Sequence, residues 1–482
     1  MTAIDLIDRR QFYIDGAWAP PVEQHDALVI DPSTEQACAV ISLGSQSDTD
    51  AAVAAARAAF DSWSITPAAE RVALLVKLLE VYERRSGEMA EAISMEMGAP
   101  IDLALKSQVS AGSWHIRNTI AALEAFDFDR PLSDGAPGDR ILYEAVGVCA
   151  MITPWNWPMN QVTLKVAPAL GVGCTMVLKP SEVAPLSSSL FAEMVDEAGF
   201  PPGVFNLVNG DGVGVGSQLS AHPDVDMVSF TGSNRAGVAI TRNAAESVKR
   251  VALELGGKGA NIVFADADDA AVERGVRHCF NNSGQSCNAP TRMLVERPVY
   301  DAAVATAERV ANEMIVDVAS KNGRHIGPVV SQAQFDKIQG LIESGQSEGA
   351  RLVAGGGGRP DGLEVGYFVR PTVFADVSPE MTISRTEIFG PVLAITPFDT
   401  DDEAIEMAND TSFGLTNYVQ TGDIDRARQV AKRLRSGMVE MNGKSRSAGS
   451  PFGGYRQSGN GREGGTWGLE EFLEVKAVSG WA

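Results

Sequence analysis

The stretch GVCAMITPWNWPMNQVTLKVAPALGVGCTMVLKP, residues 147–180, begins and ends on short apolar runs. Residues 147–153 and 176–178 read as strands buried in a sheet. Beyond them, 186–199 has helical periodicity, and 204–208 and 227–230 are strand-like again. Strands alternating with helices predict a parallel sheet joined by crossovers. A second such series follows: ANIVF (260–264), a helix over 270–280, MLVERP (293–298) and PVLAITPF (391–398). The chain therefore reads as α/β with two α/β domains. Upstream, 47–63 reads as a helix that Ser47 or Asp48 caps, and Pro67 suits the first turn of a second helix continuing through RVALLVKLLEVYERR (71–85). A third helical region spans 101–126. FDFDRPLSDGAPG (126–138) then breaks the pattern with Pro and Gly and marks a first boundary. No repeat of short period is present.

At 482 residues the chain exceeds one ordinary core, consistent with two or three domains. Forty basic against 62 acidic residues give a net charge of −22, which repels phosphate backbones and anionic lipid. No nucleic-acid or membrane partner is expected. There is no apolar run near the length of a membrane span and no basic n-region before an apolar stretch, so a cytoplasmic protein is expected. The five cysteines (Cys38, Cys149, Cys174, Cys279 and Cys287) are odd in number and irregular in spacing. That pattern fits reduced thiols and no metal site.

Several segments can carry chemistry. NNSGQSCNAP (281–290) sets Cys287 among small and polar neighbours, which suits a nucleophile needing room for a substrate carbon. A buried structural thiol fits the same residues, and the other four cysteines, lying among apolar residues, read as structural. In LELGGKGANIVF (253–264), Glu254 ends an apolar strand just before a double glycine, where a general base or a plain turn residue can sit. TPWNWP (153–158) follows a strand. Its Asn156 can donate to a developing oxyanion or merely satisfy backbone groups. FTGSNRAG (230–237) puts Gly232 and Ser233 at a helix N-terminus, a place for a phosphate. NGDGVGVG (209–216) is a second glycine-rich turn, and neither is a regular G-x-G-x-x-G. In KPSE (179–182), Lys179 and Glu182 follow a strand and can bond ribose hydroxyls.

Taken in order, TPWNWP, KPSE, FTGS, LELGGKGANIVF, GQSC (284–287), EIFGPV (387–392) and PFGGYRQSGNGRE (451–463) resemble the aldehyde dehydrogenase superfamily across essentially the whole chain. The resemblance implies Cys287 as nucleophile, Glu254 as the base that activates the hydrolytic water, and Asn156 as oxyanion donor with the Cys287 backbone N–H. It implies Lys179 and Glu182 at the adenosine ribose, Ser233 at the pyrophosphate, Glu387 at the nicotinamide ribose and Phe389 beside the ring. Trp155, Gly212, Gly216 and Gly256 fall at positions that line the cofactor in relatives. The implied cofactor is NAD, with NADP as the alternative. The implied fold is a Rossmann-like cofactor domain (1–125 and 147–255), a catalytic α/β domain (256–465) and a small oligomerisation β-arm (126–146 and 466–482), which would make a homodimer or homotetramer.

The substrate implied by the resemblance is a small-molecule aldehyde, expected to be medium-sized or aromatic. Trp157, Gln161, Leu164, Ser286, Asn288 and Phe452 are the expected walls of its pocket. MNGKSRSAGS (441–450) brings Lys444 and Arg446 just before Phe452. Those cations suit an acidic semialdehyde at the mouth, and they equally suit pairing with acidic residues of a neighbouring subunit. Release of the thioester to CoA is disfavoured by the retained Glu254, and a non-catalytic NAD-binding member by the retained Cys287, Glu254 and Asn156.

Overall fold

The computed structural model describes residues 6–481 and is built on two seven-stranded sheets. The first runs in the order Arg250–Glu254, Met227–Thr231, Val148–Ile152, Thr175–Lys179, Phe205–Leu207, Phe12–Ile14, Ala17–Ala19. Its first five strands are parallel, and the N-terminal hairpin completes it antiparallel. The chain winds outward one way from Val148–Ile152 through Thr175–Lys179, then returns to lay Met227–Thr231 on the other side. This reversal makes a topological switch point, where the C-terminal strand ends leave a crevice.

The second sheet runs Arg351–Ala354, Thr372–Ala375, Val392–Phe398, Arg292–Glu296, Ala260–Val263, Thr416–Gln420, Met438–Met441, parallel except at its first strand. Two three-stranded sheets complete the fold. In one, Ile7–Arg9 and Asp26–Asp31 flank Gln36–Ser42. In the other, the antiparallel strands Asp129–Ser133 and Leu473–Ser479 flank Ala136–Ala145. The two seven-stranded sheets are α/β, as the alternating pattern predicted.

Local chemistry explains most boundaries, with two corrections. The first helix, Gln46–Ser64, is capped by Ser45, not by Ser47 or Asp48. Ser45 accepts from the Asp48 backbone while the Asp48 carboxylate bonds back to the Ser45 N–H, so Asp48 is the third member of a capping box. The expected third helical region, 101–126, is helical to Glu124 and divided into Ile101–Leu103, a π-helical turn Ala104–Val109, and Ser110–Glu124. A further helix, Ser86–Met97, precedes it and ends on Gly98 in the left-handed region.

Helix Pro158–Val172 is buried on nearly every face and lies against Ser110–Glu124. An apolar face on every side marks an interior helix, and each fully buried Leu or Val contributes roughly 1.5–3 kcal/mol. Gln161, Leu164 and Lys165 are thereby carried on a rigid support.

Candidate active site

Cys287 lies on the connection between helix Ala271–Phe280 and strand Arg292–Glu296, and it lines two clefts at once. The connection is forced. Asn282, Ser283 and Gly284 take φ of 52°, 56° and 73° in succession. For residues other than glycine this region costs of order 1–3 kcal/mol, so the surroundings must impose it. They do so through buried polar contacts. The Ser283 hydroxyl donates to Gly327 O at 2.7 Å, and the Val330 N–H donates to Gln285 Oε1 at 2.9 Å. The Asn282 amide donates to Asn156 O at 2.9 Å, and its Oδ1 accepts from Gln108 Nε2 at 3.0 Å. Gln108 is fully buried and comes from the π-helical turn, which connects that irregularity to the cysteine loop.

Asn156 follows strand Val148–Ile152 and is buried. Its Nδ2 donates to Gln285 O at 3.0 Å, leaving its second hydrogen free. No other described residue engages the Cys287 backbone N–H. Burial first, then the Glu387 and Glu254 carboxylates, push the Cys287 thiol up to about 12, and Arg446 draws it down.

One cleft, of about 700 Å³, opens at the switch point of the first sheet. Pro154, Trp155 and Asn156 follow one strand there, and Thr231, Gly232 and Ser233 follow its neighbour. Ser233 caps helix Asn234–Ala244 by accepting from the Ala236 N–H. Thr231 Oγ1 is buried without a partner. Gly256, Glu387, Phe389, Gln334 and Lys337 close the cleft. A β-carbon at Gly256 would stand 2.4 Å from Glu387 Oε2, so the double glycine lets Glu387 approach, and Glu387 Oε1 accepts from the Gly257 N–H at 2.8 Å. Burial raises the Glu387 carboxyl, against the Gly257 bond and the charges of Lys337 and Lys258. Phe389 holds φ at 60°, an outlier for a bulky residue, and meets Trp155 edge-on with centroids 5.4 Å apart. Gln334 Nε2 anchors it by donating to Phe389 O at 2.7 Å.

Four expected cofactor residues lie elsewhere. Lys179, buried, pairs with Glu182 at 3.5 Å and donates to Gly210 O. Gly216 packs near its stem, and Gly212 faces open space. These groups gather beyond the end of the adjacent strand Thr175–Lys179, outside the 700 Å³ cleft.

The other cleft, of about 900 Å³, is walled by all six residues expected at the substrate: Trp157, Gln161, Leu164, Ser286, Asn288 and Phe452. Trp157 Nε1 donates to Ser286 Oγ at 2.8 Å. Arg446 lines this cleft and Lys444 does not, so half of the expected cationic pair is absent from the wall. Sequence reading missed Trp114, His115 and Asn118, which Ser110–Glu124 presents to the cleft, and Asn160. His115 bonds Asn160 Oδ1 at 2.7 Å, and burial lowers its imidazole to about 4, so it is neutral. It also missed Gln334 and Lys337. Helical spacing could have put each set on one face, yet nothing local says that the face turns toward Cys287.

Glu254 lines neither cleft. It ends the edge strand of the first sheet, almost fully buried, beside Leu164 and Glu463 in an interior void. Both its oxygens lack hydrogen-bond partners. Burial, then Glu463, raises its carboxyl well above the ordinary range, while Lys165 and Arg462 oppose. Lys165 and Glu463 form a buried ion pair next to it. Among the described residues no three His, Cys, Asp or Glu side chains are placed to hold a metal, and no helix is long and apolar enough to cross a membrane.

Comparison with known proteins gives the family and the fold. Residues 18–478 match the aldehyde dehydrogenase family. A 3-succinoylsemialdehyde-pyridine dehydrogenase from a Pseudomonas species is 53% identical over 98% of this chain and 99% of its own length. The crystal structure of an aldehyde dehydrogenase from Bartonella henselae is 61% identical, with a TM-score of 0.98 over 99% of this chain and 100% of that one. A mutant of aldehyde dehydrogenase C from Pseudomonas syringae, solved with NAD+ and octanal, is 49% identical, with a TM-score of 0.96 over 98% and 97% of the two chains.

Proposed function

This chain belongs to the aldehyde dehydrogenase family, and we propose that it oxidises a medium-sized or aromatic aldehyde to the acid with NAD⁺, through a thioester on Cys287 that water hydrolyses. The observation that carries this reading is the position of Cys287 on the wall of both clefts. One cleft suits a dinucleotide and the other an aldehyde, so the sulfur is where substrate carbon and cofactor ring can meet.

The cofactor cleft fits NAD⁺, which supplies the hydride acceptor when bound. Its place at the switch point, the Ser233 helix N-terminus and the unpartnered Thr231 hydroxyl suit a pyrophosphate and its ribose. Glu387 would take the ribose next to the ring, with Trp155, Gly256 and Phe389 around it. Lys179 and Glu182, with Gly212 and Gly216 beside them, would hold the far ribose. A carboxylate at Glu182 suits a free 2′-hydroxyl and repels a 2′-phosphate, which favours NAD⁺ over NADP⁺.

The chemistry on the protein follows from the same positions. Cys287 attacks the aldehyde carbon once its thiol proton is gone. The free Asn156 hydrogen and the Cys287 N–H meet the charge that develops on oxygen. Glu254, its proton affinity raised by burial, would deprotonate the water that cleaves the thioester once its side chain turns from the void toward Cys287. The test is oxidation of a neutral aldehyde under excess NAD⁺ or NADP⁺. NADH and free acid should form in equal amounts without CoA, with kcat/KM higher for NAD⁺. A requirement for CoA, or a higher value with NADP⁺, overturns the corresponding part.

The two seven-stranded sheets and the three-stranded sheet of Asp129–Ser133, Ala136–Ala145 and Leu473–Ser479 support a cofactor domain over 1–125 and 147–255, a catalytic domain over 256–465 and an arm from 126–146 and 466–482. Residues 1–5 and 482 lie outside the described residues. Strands Asp129–Ser133 and Leu473–Ser479 are edge strands, and Leu132, Val475 and Trp481 are at least half exposed on the arm. Open edges bearing apolar side chains pair with another chain, which supports a homodimer or homotetramer. Light scattering should give two or four times the mass of one chain, and a single-chain mass refutes it.

A further inference from the structure

The wall of the substrate cleft is not uniformly apolar: beside Gln161 and Glu463, which is paired with Lys165, it carries Arg446. Arg446 is the sole Lys or Arg among the described residues that line it. The guanidinium lies over the Phe452 ring at 4.8 Å, and its Nε is 3.5 Å from Glu440 Oε1. Those two contacts orient the side chain from one face and one edge. No described residue accepts a hydrogen bond from Nη1 or Nη2. The planar fork is thus held with its outer donors unused, the arrangement that receives a carboxylate in a bidentate manner. A second donor is also idle: Asn118 Nδ2, on the same cleft, is buried without a partner. Trp114 and Trp157 supply flat apolar walls. A buried donor without a partner is costly, and a ligand acceptor at that position removes the cost.

We propose that Arg446, with Asn118, selects aldehydes that carry a carboxylate at the end remote from the carbonyl. This rests on the reading of Cys287 as nucleophile and of the 900 Å³ cleft as the substrate site. The role is specific to Arg446, because Lys444 does not line the wall. It also has a purpose in this protein. At a net charge of −22 the surface repels an anionic substrate, so a local cation at the cleft must supply the attraction.

The test compares 4-carboxybenzaldehyde with methyl 4-formylbenzoate, which keeps the ring and aldehyde and replaces the charge with one added methyl group. Wild type should have the lower KM for the carboxylate. Arg446→Gln should raise that KM about tenfold or more, the scale of a lost charge-assisted bond, and raise the ester's KM several-fold less, so that the ratio of the two KM values shifts. Arg446→Lys should recover part of the effect and Lys444→Ala none of it. Equal changes for both substrates in Arg446→Gln, or no wild-type preference for the carboxylate, overturns the proposal. Calorimetric titration with terephthalate and its dimethyl ester gives a readout independent of turnover. Tighter binding of terephthalate, lost in Arg446→Gln, supports the proposal, and equal binding refutes it. If wild type oxidised neither aldehyde, the reading of Cys287 would fail, while the titration would still decide Arg446.

Discussion

Cys287→Ala should lower aldehyde oxidation by several powers of ten while leaving NAD⁺ binding within a few-fold of wild type. The expected loss is large because a hydrated aldehyde is a poor hydride donor, and only attachment to sulfur places the carbon against the cofactor cleft. Retention of binding follows from the geometry. Ser233, Glu387 and Phe389 are held by contacts of their own: the helix N-terminus, the Gly257 N–H and Gln334. The loop around position 287 is locked by Asn282, Ser283 and Gln285, so removal of one sulfur leaves its path unchanged. Initial rates of NADH formation and quenching of tryptophan fluorescence by NAD⁺ measure the two effects separately. A residual rate above about a hundredth of wild type is incompatible with covalent catalysis of this size. Loss of both properties together would show that the variant misfolds.

Glu254→Gln should separate the two halves of the reaction. Acylation proceeds, so mixing enzyme, NAD⁺ and aldehyde gives a burst of about one NADH per active site. Turnover then falls by roughly two to four powers of ten, the contribution of a positioned general base. Absence of the burst would assign Glu254 to the first half instead.

The pH dependence carries a second mark. Wild-type deacylation needs the ionised carboxylate, and burial beside Glu463 raises that ionisation above the ordinary glutamate range. The rate therefore climbs with pH through the raised value, and the Gln variant loses that limb. Stability moves the opposite way. A carboxyl raised in the folded state favours the fold fully only below its unfolded pKa, and this contribution is lost as pH rises through the folded one. Glu254→Gln does not ionise, so its melting temperature relative to wild type should rise across that window. A difference that stays flat with pH would contradict a raised Glu254.

How much of this was readable along the chain depends on the range of the interaction concerned. Strands such as Val148–Ile152 and Thr175–Lys179 are legible because continuous apolar runs between turn residues have few alternatives. The Ser233 cap is equally local. The first helix was placed well, but its cap was not. Ser45, Ser47 and Asp48 are all good caps, and the reciprocal Ser45–Asp48 bonds decide among them. The π-helical turn was not legible, since its partner Asn282 lies 174 residues away.

The site divides in the same manner. Residue type and motif order along the chain determined the α/β class, the family and the chemically able groups: a cysteine among small neighbours, a carboxylate at a strand end, an amide after a strand. Those properties depend on side chains and on neighbours within a few positions, so one dimension suffices. Only the tertiary structure decided that Cys287 faces two clefts, that Glu254 turns inward to Glu463 and Lys165, and that Arg446 lines the substrate wall while Lys444 does not. The physical reason is that desolvation, charge pairing and cleft shape arise from groups brought together by long-range packing. Lys165 and Glu463 are 298 residues apart, and no local spacing encodes their meeting.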